Sequence, residues 1–166
     1  LLIDPYNSLI KDPALLKSVG GHEYDYQVAS EMRLFCKTNN VTIWLNAHAV
    51  TESLRRKHPH GHEFEGLPQP CSMADVEGGG KWGNRADDVI SIHRYTQHPT
   101  RWMVSDIHVV KVKETETGGR PTGIDTPVSL RMQAGNVAFT VAGKDVIDHS
   151  KVATMKVPNI NPKLAF

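Results

Sequence analysis

Two polar residues stand where aliphatic runs stop. Asp4 closes Leu1-Leu2-Ile3, and His48 closes the stretch that begins Val41-Thr42-Ile43-Trp44-Leu45. A carboxylate is a natural ligand for a hard cation such as Mg²⁺. A neutral imidazole can donate from one ring nitrogen and accept at the other. Brought together at one sheet edge, the pair suits a nucleotide site. Downstream, Arg55, Arg56 and Lys57 are adjacent; such a triplet fits contacts to a single-strand phosphate backbone, although Glu52, Glu63 and Glu65 dilute it. His58, His60, His62 and Glu63 form HPHGHE, a set of nitrogen and oxygen donors that could take Zn²⁺. Its spacing is not that of the usual structural zinc sites, and Cys71 is the only thiol nearby, so the expectation is a mobile surface loop. Each feature also has a plainer reading. An aspartate before Pro5 is a common turn residue, an isolated histidine at a strand end is usually a satisfied core group, and a basic triplet is often a solvated charge run.

Asp4 and His48 must be positioned by their strands. Leu1-Leu2-Ile3 reads as the end of a buried strand of the parallel type, stopped by Pro5 and Asn7. Residues 22–38 place Tyr24, Val28, Met32 and Phe35 at helical spacing, with Asn39-Asn40 as the stop. Residues 41–48 read as a second buried strand with a polar end. Strand, helix, strand is the order of a parallel crossover, and in open α/β sheets chemistry gathers at the carboxyl ends of the strands. Residues 51–72 are polar, with glycine and proline, and read as a long loop of the kind that is functional or disordered. The glycine-rich stretch 73–88 reads as an interrupted short helix. Strands follow at 88–95 and 106–113, then a terminal hairpin turning around residues 133–135. The expected domain spans 1–143, with a polar tail over 144–166.

Composition sets bounds. The chain has 166 residues, 39% of them hydrophobic, and a formal net charge of +1. That is the size of one domain, with no run near the roughly 20 apolar residues a membrane helix needs and no leader pattern. A bulk basic surface is excluded, so any nucleic-acid contact must come from a local cluster. Cys36 and Cys71 do not make a disulfide framework, which points to a reducing, cytoplasmic setting.

LLIDPYNSL, IWLNAH, MADVEGGGKWGNRADDVISIHR and VVKVKETETGGRPTG, in that order over residues 1 to about 140, resemble the RecA-like motor domain of ring-shaped replicative helicases of the DnaB class. The similarity is greatest to the helicase half of phage-type primase-helicases. It implies an α/β fold with a RecA-like P-loop NTPase core, parallel strands first and antiparallel strands at the end. LLID then resembles the Walker B strand. The motif G-x-x-x-x-G-K-[ST] is absent: Trp82 follows Gly80-Lys81 where a hydroxyl is required, and Asp75 stands where the first glycine would be. The resemblance therefore implies that the phosphate-loop strand and the strand with the family's catalytic glutamate lie outside this sequence, and that these residues alone do not hydrolyse ATP.

The same resemblance implies roles. Asp4 would hold Mg²⁺ through a water beside ATP, and His48 would sense the γ-phosphate and relay its state to the DNA loops. Lys111 would face phosphate. Lys113 or Arg120 would reach across a subunit interface as the trans finger, with a lysine lacking the bidentate fork of arginine. Arg55, Arg56 and Lys57, with Lys81 and Arg85 from the second loop, would contact single-stranded DNA. Glu77 departs from the pattern: the family commonly has arginine there, and an acidic side chain opposes DNA contact. The implied assembly is a hexameric ring of identical subunits, with a primase half as a further candidate partner and no membrane. Two other readings compete. One is a RecA-like module without catalysis that binds protein or nucleic acid. The other is a metal-dependent enzyme built on Asp4, His48 and the histidine loop, which predicts tight stoichiometric metal.

Overall fold

The computed structural model describes residues 1–133 and 138–147. Asp12 starts the long helix α1, Pro13–Asn39: its carboxylate accepts from the amides of Ala14 and Leu15 at 2.8 and 3.0 Å. Those amides would otherwise lack partners, and Pro13 at the first helical position has no amide to lose. The helix breaks at Gly20, whose φ of 79° is left-handed, and it ends where Asn40 turns left-handed at φ 51°. The expected span over 22–38 is thus the second and longer part of α1. Tyr24 and Ala29 are buried, and Val28 and Met32 pack inward. Phe35 is half exposed and leaves the expected apolar stripe, because the core ends one turn earlier.

Strands β1, Leu2–Ile3, and β2, Trp44–Leu45, pair in parallel, with Leu2 opposite Trp44 and Ile3 opposite Leu45. The crossover through α1 has the expected order. The burial does not follow expectation: Leu1, Leu2 and Trp44 are 70%, 66% and 59% exposed. Among the described residues the pair stands alone as a two-stranded sheet, so only one face of each strand finds cover. That cover is a small core of Tyr6, Ala29 and Trp82, flanked by Val28, Met32, Leu45 and Val76. Tyr6 meets Trp82 edge to face, with ring centroids 4.6 Å apart, a favoured aromatic geometry.

After the glycine-rich turn comes the short helix α2, Gly80–Arg85. Gly78 is demanded there twice over. Its φ is 96°, and a Cβ on it would sit 2.9 Å from the indole nitrogen of Trp82. The glycine there therefore serves packing of Trp82.

The second sheet has five strands in sequence order, all antiparallel: β3 Asp88–His93, β4 Val104–Val112, β5 Val128–Met132, β6 Phe139–Val141 and β7 Lys144–Asp145. The protein is therefore mixed α/β, with parallel strands first and antiparallel strands after. The parallel and antiparallel parts form separate sheets. The terminal hairpin is present as β5–β6, and its turn at 134–137 lies outside the described residues. Residues 144–145, assigned to the tail by sequence, pair as β7, and the tail from 148 onward also lies outside the description. No helix among the described residues is long and apolar enough to cross a membrane.

Candidate functional site

The carboxyl ends of β1 and β2 bring Asp4 and His48 to one crest, because parallel neighbours must end on the same side. Asn46 donates to Asp4 Oδ1 at 2.5 Å. The backbone amide of His48 donates to Asn7 Oδ1 at 3.2 Å, and the Asn7 amide group donates to the carboxylate of Glu77. The Glu77 amide in turn donates to the His48 carbonyl at 3.0 Å, and the Tyr6 amide to the Asn46 carbonyl at 2.8 Å. Asp4, Asn7, Asn46, His48 and Glu77 are all exposed. Sequence reasoning missed Asn46 and treated Asn7 as a turn residue. The available signal was that Asn46 sits two residues before His48, on the same polar end of the strand.

The crest is wired to the core below it. Tyr6, two residues after Asp4, donates its hydroxyl to Asp25 on α1 at 2.8 Å. Asp25 also receives Lys11 at 2.8 Å and Lys81 at 3.2 Å. Burial pushes the Asp25 carboxyl up, but the bonds from Lys11, Tyr6 and Lys81 outweigh it and hold the group below its usual range. Burial and the bond to Asp25 push the Tyr6 phenol well up.

This network and its surroundings place several of the cations singled out in the sequence. Lys81, expected at DNA, is only 7% exposed and is tied to Asp25 and to the His22 carbonyl. A charged side chain at that depth needs a partner, and the Asp25 carboxylate supplies it. Arg85, also expected at DNA, lies over the Tyr26 ring, 4.2 Å from its centroid, and donates to the Tyr26 hydroxyl. Lys111, expected at phosphate, donates to the carbonyls of Gly83 and Ala86 at 2.7 and 2.8 Å. It ties β4 to the end of α2, where carbonyls lack helical partners. Arg56 bonds Asp75, whose carboxylate also accepts from the Ser72 amide and hydroxyl at 2.6 and 2.7 Å. Arg55 pairs with Glu52 at 3.0 Å on the surface, and Lys113 with Asp87 at 3.1 Å. Lys57 and Arg120 are exposed.

The histidine-rich segment is an ordered flap over 56–69. The His58 amide donates to Leu67, the Gly66 amide to His58 and the Gln69 amide to Arg56, at 2.9, 3.2 and 2.8 Å. The flap lies on the polar face of the second sheet. His58 bonds the Tyr95 hydroxyl at 2.9 Å, and the Phe64 ring stacks on Tyr95 with centroids 3.8 Å apart. Beneath it, Asp106, 1% exposed, accepts from Arg101 at 2.8 Å and from Ser129 at 2.6 Å. Burial lowers the pKa of His58, His93 and His108 below the ordinary imidazole value. His62 adds to the effect at His58 and His108 adds to it at His93, whereas at His108 the charges of Asp106 and Asp125 oppose it without cancelling it. Burial also pushes Tyr95 up to about 12. The expected mobile loop is thus a docked one, because its imidazoles and Phe64 find aromatic and polar partners on the sheet. Among the described residues no group of His, Cys, Asp and Glu is arranged to hold a metal ion.

A groove of about 470 Å³ separates the two sheets, lined on one side by β2 and on the other by the start of β3, with Met32 and Trp82 also contributing. Both bordering strands are sheet edges.

No protein-family model matches this chain, and no curated protein is similar to it at a significant level.

Proposed function

We propose that these residues belong to the motor domain of an ATP-driven, ring-shaped DNA helicase of RecA-like fold, which unwinds duplex DNA while moving on one strand. The observation that carries the reading is the crest, where Asp4 and His48 end adjacent parallel strands and are linked through Asn46 and Asn7. The donor set fits a magnesium nucleotide. Asp4 is an exposed carboxylate with one oxygen held by Asn46, which leaves the other to accept from a metal-bound water; hard oxygen ligands of this kind suit Mg²⁺. His48 is exposed at the end of the neighbouring strand, and its backbone is held by Asn7 and Glu77. A bound magnesium nucleotide would be held by Asp4 with His48 at the same strand ends, the metal would supply neutralisation of phosphate charge, and these residues would act by positioning and electrostatics.

The groove between β2 and β3 supports the same reading. Two free strand edges facing one groove are suited to a further strand, and a phosphate-loop strand inserted there would emerge beside the crest. Lys113 and Arg120 remain the exposed cations for a neighbouring subunit's nucleotide, in a ring of identical chains. Arg55 and Lys57 remain for the single strand, and the proposed setting is the cytoplasm. One feature favours the second reading, a RecA-like module without catalysis: Leu1, Leu2 and Trp44 present apolar surface that a partner protein could cover.

The test is made on the longest natural reading frame that contains these residues. The frame should encode G-x-x-x-x-G-K-[ST] upstream of Leu1, and its product should hydrolyse ATP in the presence of Mg²⁺ and single-stranded DNA. Asp4→Asn should lower that rate by about a hundredfold or more, with the melting temperature unchanged because Asp4 is exposed. A frame without the motif, or an Asp4→Asn chain that hydrolyses ATP at the parent rate, sinks the motor reading.

A further inference from the structure

The motor reading leaves the charge of Glu77 without a role. An acid stands there where a basic side chain was expected, and it lies at the crest itself. Three hydrogen bonds close a ring around it. The His48 amide donates to Asn7 Oδ1 at 3.2 Å, the Asn7 side-chain amide donates to the Glu77 carboxylate, and the Glu77 backbone amide donates to the His48 carbonyl at 3.0 Å. The ring joins the turn after β1, the chain leaving β2 and the glycine-rich turn.

Neighbouring bonds keep Glu77 in register with His48. Ala49 and Val76 form an antiparallel bridge, and the Val50 amide donates to the Asp75 carbonyl at 2.7 Å. The Trp82 indole donates to the Glu77 carbonyl at 3.1 Å, which ties this backbone to the core under the crest. Segments 48–50 and 75–77 are therefore one paired unit, and the side chain of Asn7 is clasped between its two strands.

The charge of Glu77 sets the polarity of that clasp. A carboxylate only accepts, so the Asn7 NH2 group must face Glu77, and the Asn7 oxygen is left for the His48 amide. A basic side chain at 77 only donates. It would draw the Asn7 oxygen and leave two donors facing each other at His48. Bonds to an ionised acceptor are also the stronger kind, so Glu77 selects the one asparagine orientation that holds His48.

We infer that Glu77 and Asn7 are positioning residues for His48, acting by fixing the backbone that carries its ring. The inference rests on the motor reading, in which His48 meets the γ-phosphate. Phosphoryl transfer is sensitive to misplacement of such a group by about an ångström, so loosening His48 lowers turnover more than nucleotide binding.

The experiment uses the product of the long reading frame described above. Asn7→Asp sets two carboxylates against each other. Adding Glu77→Gln exchanges amide and carboxylate between the two positions: the group at 7 then accepts from the His48 amide, and the new amide at 77 donates to it. Asn7→Asp should lower kcat about tenfold and leave KM for ATP within about twofold. Its melting temperature should not change, because both side chains are exposed, while the His48 amide signal moves in the NMR spectrum of histidine-labelled protein. The double variant should return both kcat and that signal to near the parent's. A parental kcat in Asn7→Asp overturns the inference. So does a double variant whose His48 signal returns while kcat stays low, because the loss then does not run through His48. Either result, in a chain that hydrolyses ATP and that Asp4→Asn disables, leaves the motor reading standing. A parent chain that hydrolyses no ATP sinks the motor reading, and this inference with it.

Discussion

The helix-backed parallel pair and the antiparallel sheet bury opposite kinds of surface. Around α1 the core is aromatic and aliphatic, Tyr6, Ala29 and Trp82, with one charged cluster at its margin where Asp25 meets Lys11 and Lys81. In the five-stranded sheet the covered face carries Ser91, His93, Asp106, His108 and Ser129, which sit opposite one another in the strand register. The other face carries Ile90, Ile92, Val128, Phe139 and Val141, all exposed. A polar face can be buried when its groups are bonded to one another. Asp106 receives Arg101 and Ser129, and the flap adds an aromatic lid over the rest. The difference teaches that these halves depend on different forces. The first depends on a few buried ion pairs placed beside a small core. The second depends on hydrogen bonds and stacked rings that require neutral imidazoles.

That contrast can be broken most sharply at Asp25. Asp25→Ala leaves Lys81 buried without its carboxylate, and the expected loss is about 3–5 kcal/mol of unfolding free energy, read from urea denaturation. A loss below about 1 kcal/mol would mean that the ion pairs do not hold the first half together. Next in size is Asp106→Ala in the sheet. Arg101 is part-exposed and can turn to water, so the expected cost is smaller, about 2 kcal/mol. Hydrogen exchange should rise in the flap and in β4 and β5 while α1 keeps its protection; loss of protection in both halves together would erase the distinction drawn here.

Acidification sharpens the comparison more gently. His58, His93 and His108 have folded pKa values below the ordinary one, so the unfolded chain takes up protons first. Stability contributed by their neutral forms is present above about pH 6.5 and is lost as the pH falls below it, by at most about 1.4 kcal/mol per pH unit for each imidazole. The carboxylates Asp25 and Asp75 also sit below their usual range, and what they contribute persists until the pH falls toward about 4. The flap should therefore open to exchange as the pH falls below about 6.5, before α1 does. Simultaneous opening at one pH would contradict the assignment of separate forces.

Much of the element order was legible. The stop at Asn39-Asn40 is legible, while the apolar spacing places the start at 22 although Asp12-Pro13 caps the helix nine residues earlier; two aliphatic runs separated by that helix give parallel strands with Asp4 and His48 on the same crest. The antiparallel strands were also readable from their β-branched residues. What could not be read was the disposition of long charged side chains. Lys81, Arg85 and Lys111 look like ligand-facing cations in a one-dimensional string, yet their partners Asp25, Tyr26 and the carbonyls of Gly83 and Ala86 lie 25 to 59 residues away.

The histidine loop shows the same division. Its composition fixed that it would be polar and glycine-bearing, and its turns at Gly61 and Gly66, with φ of 83° and 74°, follow from that composition. Whether it stayed in water depended on Tyr95 and Asp106, supplied by the β3–β4 region. The sequence by itself determined the periodicity, the breaks and the polar strand ends, because those depend on nearest neighbours along the chain. The tertiary structure alone decided which charges are neutralised, which sheet face is covered and where cavities open. Those outcomes depend on distances between residues far apart in sequence, and an ion pair or a stacked ring exists only once the fold has closed that distance.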